Sequence, residues 1–226
     1  NIMVYIIKVT TTQTNSIKSL IDTLNSLLTD VNISFYPFHM DEDPSNDSSE
    51  SDEKKTKKIG GIIIKEINKT SSILVHCRLD ANKFEYYNFN YHKKKFNIGV
   101  NLSNLLKCLK CMTHFDTMTW AVDSEDINKL IIILESVEKN EKKVFKLNLM
   151  DLDDESYDVD SVTFPYSINL PSQDFHKYCK DMASAAEKME IKCVSNRVFL
   201  SGKGELGDID FEIGESIGGL SIDVNT

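Results

Sequence analysis

The chain has 226 residues, 41% of them hydrophobic, and a formal net charge of −9 at pH 7, which suits a soluble globular protein of one large or two smaller domains with a sizeable core. No window approaches eighteen uninterrupted apolar residues, and the opening run Asn1 to Ile7 lacks the charged region and cleavage site of a signal peptide, so an intracellular, non-secreted protein with no membrane association is expected. Five widely spread cysteines (Cys77, Cys108, Cys111, Cys179 and Cys193) favour reduced thiols over a disulfide framework.

Residues 3–10 read as a strand. Thr14, Asn15 and Ser16 then offer caps for a helix whose apolar stripe is Ile17, Leu20, Ile21, Leu24 and Leu28. A strand over 31–35 is followed by a polar insertion, about 38–59, acidic first and ending in Lys54, Lys55, Lys57 and Lys58. It is too polar to bury and reads as a mobile loop. From Ile62 to Val100 come four runs rich in β-branched and aromatic residues, which read as a β-meander. Asn101 and Ser103 open a second helix with Leu102, Leu105, Leu106 and Leu109 on one side. Strands are expected over 117–122, 129–135 and 143–149.

Residues 151–160 (DLDDESYDVD) carry six acids and only Tyr157 and Val159 as sizeable apolar anchors near their end, and they read as a linker. After it the opening pattern returns: a strand over 166–170, a cap at Ser172, a helix with Phe175, Tyr178, Cys179, Met182 and Ala186 inward, and strands over 191–194, 197–201 and 208–213. Such a long repeat predicts two similar domains. The expected division is a domain over 1–150 containing the insertion, a connector over 151–165, and a second domain over 166–226 that is incomplete at its C-terminal end.

The acids are unevenly placed: residues 41–53 hold seven and 151–160 hold six of the thirty-five. The remainder is close to neutral, so a basic face is compatible with the overall acidity. Helical spacing puts Lys107 and Lys110 opposite the leucines of the second helix, Lys177 and Lys180 on the outer side of the third, and Lys18 with Asp22 and Asn25 on the outer side of the first. A solvated helix face would also place lysines there. Repeated lysines without an aromatic stacking platform suit sequence-independent contact with duplex phosphates better than contact with single-stranded bases.

Catalytic or metal chemistry finds little support. Cys108 and Cys111 form a CxxC with no second pair, His39, His76, His92, His114 and His176 are scattered, and the clustered carboxylates lie in loops where they stay solvated. Gly202-Lys203-Gly204 lacks the spacing of a phosphate loop. No enzyme, metal or cofactor is expected.

Four blocks carry a resemblance to a known family. Gly99-Val100-Asn101-Leu102 leading to Leu106-Lys107-Cys108-Leu109-Lys110-Cys111, then Leu149-Met150-Asp151-Leu152-Asp153, then Pro171-Ser172-Gln173-Asp174-Phe175 with Cys179-Lys180-Asp181, and finally Ser201-Gly202-Lys203-Gly204-Glu205-Leu206-Gly207 resemble, in order and spacing, segments of the PCNA-type DNA sliding clamps. The resemblance implies an α+β DNA-clamp fold: two similar domains of antiparallel sheet, with helices lining a central channel and subunits joined head to tail into a ring, usually a homotrimer.

It further implies a non-catalytic processivity factor that encircles duplex DNA and tethers DNA polymerase and other peptide-motif proteins, with a clamp loader as partner. Lys18, Lys107, Lys110, Lys177 and Lys180 match the family's DNA-facing positions. Ile67, Leu74, Tyr157 and Val159 match its partner-peptide pocket. Val144, Phe145 and Leu147 on one subunit, with Ile209 and Phe211 on the next, match its subunit interface. Ser71 stands where the family often has a histidine, and the insertion has no cellular counterpart. With the Asn, Lys and Ile richness, that insertion points to a large DNA virus over a cellular eukaryote, and the expected location is the nucleus or, for a viral protein, a cytoplasmic replication factory. The acidic balance and the incomplete second domain leave a second possibility, a clamp-derived peptide-binding adaptor that never closes on DNA.

Overall fold

The structure is a computed structural model that describes residues 4–40, 58–111, 115–154, 157, 163–205 and 207–224. The chain divides into two compact units, Asn1–Asp158 and Val159–Thr226.

In the first unit the order is β1 (Tyr5–Thr11), α1 (Thr14–Leu27), β2 (Asp30–Phe35), β3 (His39–Met40), β4 (Lys58–Ile59), β5 (Gly61–Ile67), β6 (Leu74–Asp80), a 3-10 turn (Ala81–Lys83), β7 (Tyr86–Phe89), β8 (Phe96–Asn101), α2 (Leu102–Lys110), β9 (Thr117–Asp123), β10 (Lys129–Ser136) and β11 (Glu141–Asn148). Two antiparallel sheets result, one ordered β11-β10-β9-β1-β7 and one ordered β6-β5-β2-β8. Their inner faces and the two helices share one core: Ile7, Val9, Val122, Leu130, Ile132 and Leu134 from the first sheet, Val31, Ile33, Phe35, Ile62, Ile64, Ile98 and Val100 from the second.

The stripes read from helical periodicity are the buried ones. On α2, Leu102, Leu105 and Leu109 are fully buried and Leu106 nearly so. Each such leucine contributes about 1.5–3 kcal/mol relative to exposure, enough to hold a nine-residue helix that would not form alone. Its start is fixed by Asn101, whose side chain accepts the Asn104 backbone N–H at 3.0 Å. On α1 the expected capping by Thr14, Asn15 and Ser16 is not found. Gln13 is the capping position, held by its backbone N–H on the Thr11 hydroxyl at 3.0 Å, and Thr14 is buried inside the first turn.

The expected β-meander between Ile62 and Val100 is also corrected. β5 and β6 pair as a hairpin, but β7 crosses to β1 in the other sheet and β8 returns to β2. The 3-10 turn makes the crossing, with Ala81 fully buried beneath it. Tyr87 of β7 then ties the sheets together, because its hydroxyl lies 2.7 Å from the Tyr36 carbonyl and 2.9 Å from that of Gly61. Most of the insertion expected as a mobile loop, 41–57, lies outside the described residues; its two ends pair as β3 and β4.

In the second unit the order is β12 (Tyr166–Asn169), α3 (Ser172–Ala183), β13 (Met189–Val194), β14 (Arg197–Gly204), β15 (Gly207–Gly214) and β16 (Ser221–Val224). β12 pairs with β16, and β13, β14 and β15 form a three-stranded sheet. The pairing matches β1 with β7 and β2-β5-β6 of the first unit, so the repeat extends to topology. In the first unit β8 occupies the other edge of β2 and β9 that of β1; no described residue does so for β13 or β12.

That difference explains a second correction. Phe175, expected inward, is 41% exposed, whereas Ile17 at the same turn of α1 is 8% exposed. α1 packs against α2, while the described residues of the second unit supply no second helix. Met182 is buried against Val198, Leu200 and Leu220, and Tyr178 and Ala186 pack on this small core. Phe175 lines an apolar cavity of about 400 Å³ instead. Pro171, not Ser172, is the capping position.

Candidate functional site

The residues singled out from the sequence fall on three kinds of feature, described within each unit by itself. The first is helical. On α2 the residues opposite the leucines are Ser103, Asn104, Lys107 and Lys110, all exposed, and the helix contains no acid. Both lysines are in its last turn, where a cation is favoured by the helix dipole. Lys107 Nζ reaches Asn104 Oδ1 at 3.4 Å, so its position is only lightly fixed. On α1, Lys18 is half-buried and Asp22 is exposed one turn later. On α3, Lys177 and Lys180 are exposed but share the helix with Asp174 and Asp181. Of the three helices, α2 alone carries uncompensated positive charge.

The cysteines at this helix end are free: Cys108 is half-buried and Cys111 exposed. Burial first, and the neighbouring Cys111 second, push the Cys108 thiol above the usual range, which disfavours the thiolate that metal binding or redox exchange needs. No group of His, Cys, Asp or Glu suited to a metal ion occurs among the described residues.

The second surface is the outer face of the β6-β5-β2-β8 sheet. Ile67 and Leu74 are directly paired across the β5–β6 hairpin and half-buried. Beyond them Asn32, Ser34, Tyr36, Lys65, His76, Lys95, Asp154 and Tyr157 surround a cavity of about 270 Å³. Tyr157 therefore lies over the polar part of this sheet face; Ile67 and Leu74 do not line the cavity. Val159 lies outside the described residues.

The segment after β11 is held on this face by contacts that no sequence motif announced. The Met150 N–H donates to the Gly99 carbonyl at 2.8 Å, Asn32 Nδ2 donates to the Asp153 carbonyl at 2.8 Å, and Lys95 Nζ pairs with Asp154 at 2.6 Å. A Cβ on Gly99 would lie 2.3 Å from the Met150 carbonyl oxygen, so only glycine lets the segment lie this close. A glycine inside the strand run FNIGVN was the available signal, since it marks either a bulge or a close backbone approach. The acidic stretch is thus anchored through Asp154, not a free linker from Asp151 onward.

The third feature is a strand edge, one in each unit. β11 closes one end of the five-stranded sheet and β15 one end of the three-stranded sheet, and neither pairs further among the described residues. Phe145 and Leu147 are half-buried and pack on the core, with Val144 on the opposite, exposed side. Ile209 and Phe211 are half-buried over Gly202 and Leu200.

The chain is similar to known proteins in sequence and in fold. Residues 53–158 match the family model described as proliferating cell nuclear antigen, N-terminal domain. A probable DNA polymerase sliding clamp of Acanthamoeba polyphaga mimivirus is 26% identical over 220 residues, covering 90% of this chain and 47% of that protein. A probable DNA polymerase sliding clamp 1 of Paramecium bursaria Chlorella virus 1 is 27% identical over 213 residues, covering 88% of this chain and 71% of that protein. The chain thus spans about half the length of the first relative and under three quarters of the second. Among solved structures, the proliferating cellular nuclear antigen of Entamoeba histolytica superposes with a TM-score of 0.80 at 20% identity, over 99% of this chain and 78% of that one.

Proposed function

We propose that this chain, which matches the PCNA N-terminal domain model over residues 53–158 and has the DNA-clamp fold, works as a sliding-clamp subunit: a non-catalytic processivity factor that encircles duplex DNA and tethers a DNA polymerase and other replication or repair proteins. The observation that carries this reading is α2, whose two exposed lysines stand without an acid on the same helix in a chain of net charge −9. Point charges on flexible stems contact phosphates without reading sequence, which is the chemistry a sliding contact needs.

The remaining assignments are part of the same proposal. Lys18, Lys177 and Lys180 extend the DNA-facing surface. Ile67, Leu74, Tyr157 and Val159 receive an aromatic-containing peptide of the partner. Val144, Phe145 and Leu147 of one subunit meet Ile209 and Phe211 of the next, in a ring taken to be a homotrimer. A clamp loader opens that ring. The domains run over 1–150 and 166–226 with a connector over 151–165. The viral relatives support a site of action at a viral replication centre.

Retention on DNA tests the proposal. The full-length protein carrying this chain, loaded by a clamp loader, should stay on circular duplex and run off the same DNA once it is linearised. Equal loss from both would exclude encirclement and leave a peptide-binding adaptor.

A further inference from the structure

The two strand edges carry opposite charge. β11 has Lys142, Lys143 and Lys146 against one acid, Glu141, and β15 has Asp208, Asp210 and Glu212 with no base. The register of each strand fixes which way these side chains point. Opposite Ile131 and Glu135 of β10, Lys146 and Lys142 lie on the outer face of their sheet, and Lys143 turns to the core side over the Phe115 ring at 4.9 Å. Opposite Lys203, Ser201 and Phe199 of β14, Asp208, Asp210 and Glu212 likewise share one face, while Ile209, Phe211 and Ile213 pack on the core. Each edge therefore presents an apolar inner row and a charged outer row of opposite sign.

Resting on the ring reading above, we propose that charge selects the polarity of subunit pairing: the basic β11 edge accepts the acidic β15 edge of a second copy of this chain, and each edge repels its own kind. In an antiparallel alignment that sets Lys146 opposite Asp208, Lys142 falls opposite Glu212 and Phe145 opposite Ile209. Directly opposed unlike charges stabilise a strand pair and like charges destabilise it. Copies pairing β11 to β11 would oppose lysines, and copies pairing β15 to β15 would oppose carboxylates. Only the heterologous, head-to-tail contact satisfies both edges, and that contact type closes into rings. Within the chain, Lys142 already meets Glu135 at 2.9 Å, Glu212 meets Arg197, the Lys146 charge acts on Asp126 and Asp208 lies across from Lys203, so the neighbour's charges add to these contacts, with Asp210 opposite Val144 and flanked by Lys142 and Lys146. These charges also guard two open strand edges against unspecific pairing.

Charge reversal with complementation tests this on the 226-residue chain, read by sedimentation velocity without DNA. Lys142→Glu with Lys146→Glu makes both edges acidic; Asp208→Lys, Asp210→Lys and Glu212→Lys make both edges basic. Each variant alone should remain monomeric at concentrations where the unaltered chain associates, and an equimolar mixture should associate again. Association of the unaltered chain should weaken at least about tenfold between about 0.05 M and about 0.5 M salt, as the Debye length shrinks. Circular dichroism confirms that each variant is folded, and Lys142→Gln with Lys146→Gln provides a milder change expected to give intermediate weakening.

A monomeric unaltered chain at low salt, self-association of either reversed variant at full strength, or a mixture that stays monomeric would each overturn the proposal. Recovery in the mixture together with equal loss from circular and linear DNA would uphold the edge pairing and reject the clamp reading instead.

Discussion

The Met150 N–H donates to the Gly99 carbonyl oxygen at 2.8 Å, laying the segment that leaves β11 directly across the outer face of β8. Because a Cβ at Gly99 would meet the Met150 carbonyl at 2.3 Å and the Leu152 side chain at 2.9 Å, the contact depends on one missing methyl group. Two backbone segments at this separation cannot move apart without giving up the hydrogen bond.

Gly99→Ala should therefore destabilise the first unit by about 1–3 kcal/mol, the usual range for forcing volume into a packed site. Denaturant unfolding followed by the fluorescence of Trp120, which is the single tryptophan and is 6% exposed, reads the change. An unaltered midpoint would show that the segment lifts off this face at little cost.

Tyr87 supplies a second test. Burial pushes its phenol well above the usual tyrosine range, and the hydrogen bond to the Tyr36 carbonyl opposes that only in part. A group whose folded pKa is raised contributes its full stability below its unfolded pKa, about 10 for tyrosine, and loses it as pH climbs from there towards the folded value. Stability of the unaltered chain should fall above about pH 10. Tyr87→Phe should remove this group's part of the alkaline loss and, at neutral pH, cost about 1–2 kcal/mol, because the carbonyls of Tyr36 and Gly61 lose a donor. Chemical denaturation at neutral and alkaline pH compares the two proteins.

For the DNA-facing assignment, Lys107→Ala with Lys110→Ala should flatten the slope of log affinity against log salt by about 2, close to one unit per phosphate contact removed. Lys107→Glu with Lys110→Glu should weaken DNA binding further and leave peptide binding unchanged. The pair Lys177 and Lys180 should matter less, because Asp174 and Asp181 offset them on the same helix. Fluorescence anisotropy with a short duplex over a salt series measures all three, and an unchanged slope in the first variant would remove α2 from the interface.

Calorimetry of a glutamine-anchored peptide ending in paired aromatics addresses the partner surface. Val159→Glu and Tyr157→Ala are each expected to weaken binding about tenfold or more, as loss of an interface hot spot does. Lys95→Ala should weaken it less, acting only by releasing Asp154 from its 2.6 Å ion pair. Affinity that is the same in all three would place the peptide elsewhere.

Much of the fold was legible in the residues. Hydrophobic period placed α1 and α2, whose stripes Ile17, Ile21, Leu24 and Leu102, Leu105, Leu109 are buried. It failed on Phe175 because a periodic stripe reports which side of a helix avoids water in a finished core, whereas burial also requires an element to cover it. The meander reading failed because adjacency in sequence was taken for adjacency in a sheet. β6 and β7 are neighbours along the chain and belong to different sheets.

The surfaces divide in the same way. Lysine spacing on α2 and the acid-rich segment after Met150 follow from residue order alone, since side-chain direction along a helix is set by its period, whereas the place of β11 and β15 at sheet edges does not. The tertiary structure alone decided that Gly99 receives Met150 and that Asn32 and Lys95 hold the acidic segment. Local propensity tells each residue which way to face; only closing long loops in space determines which partner it meets there.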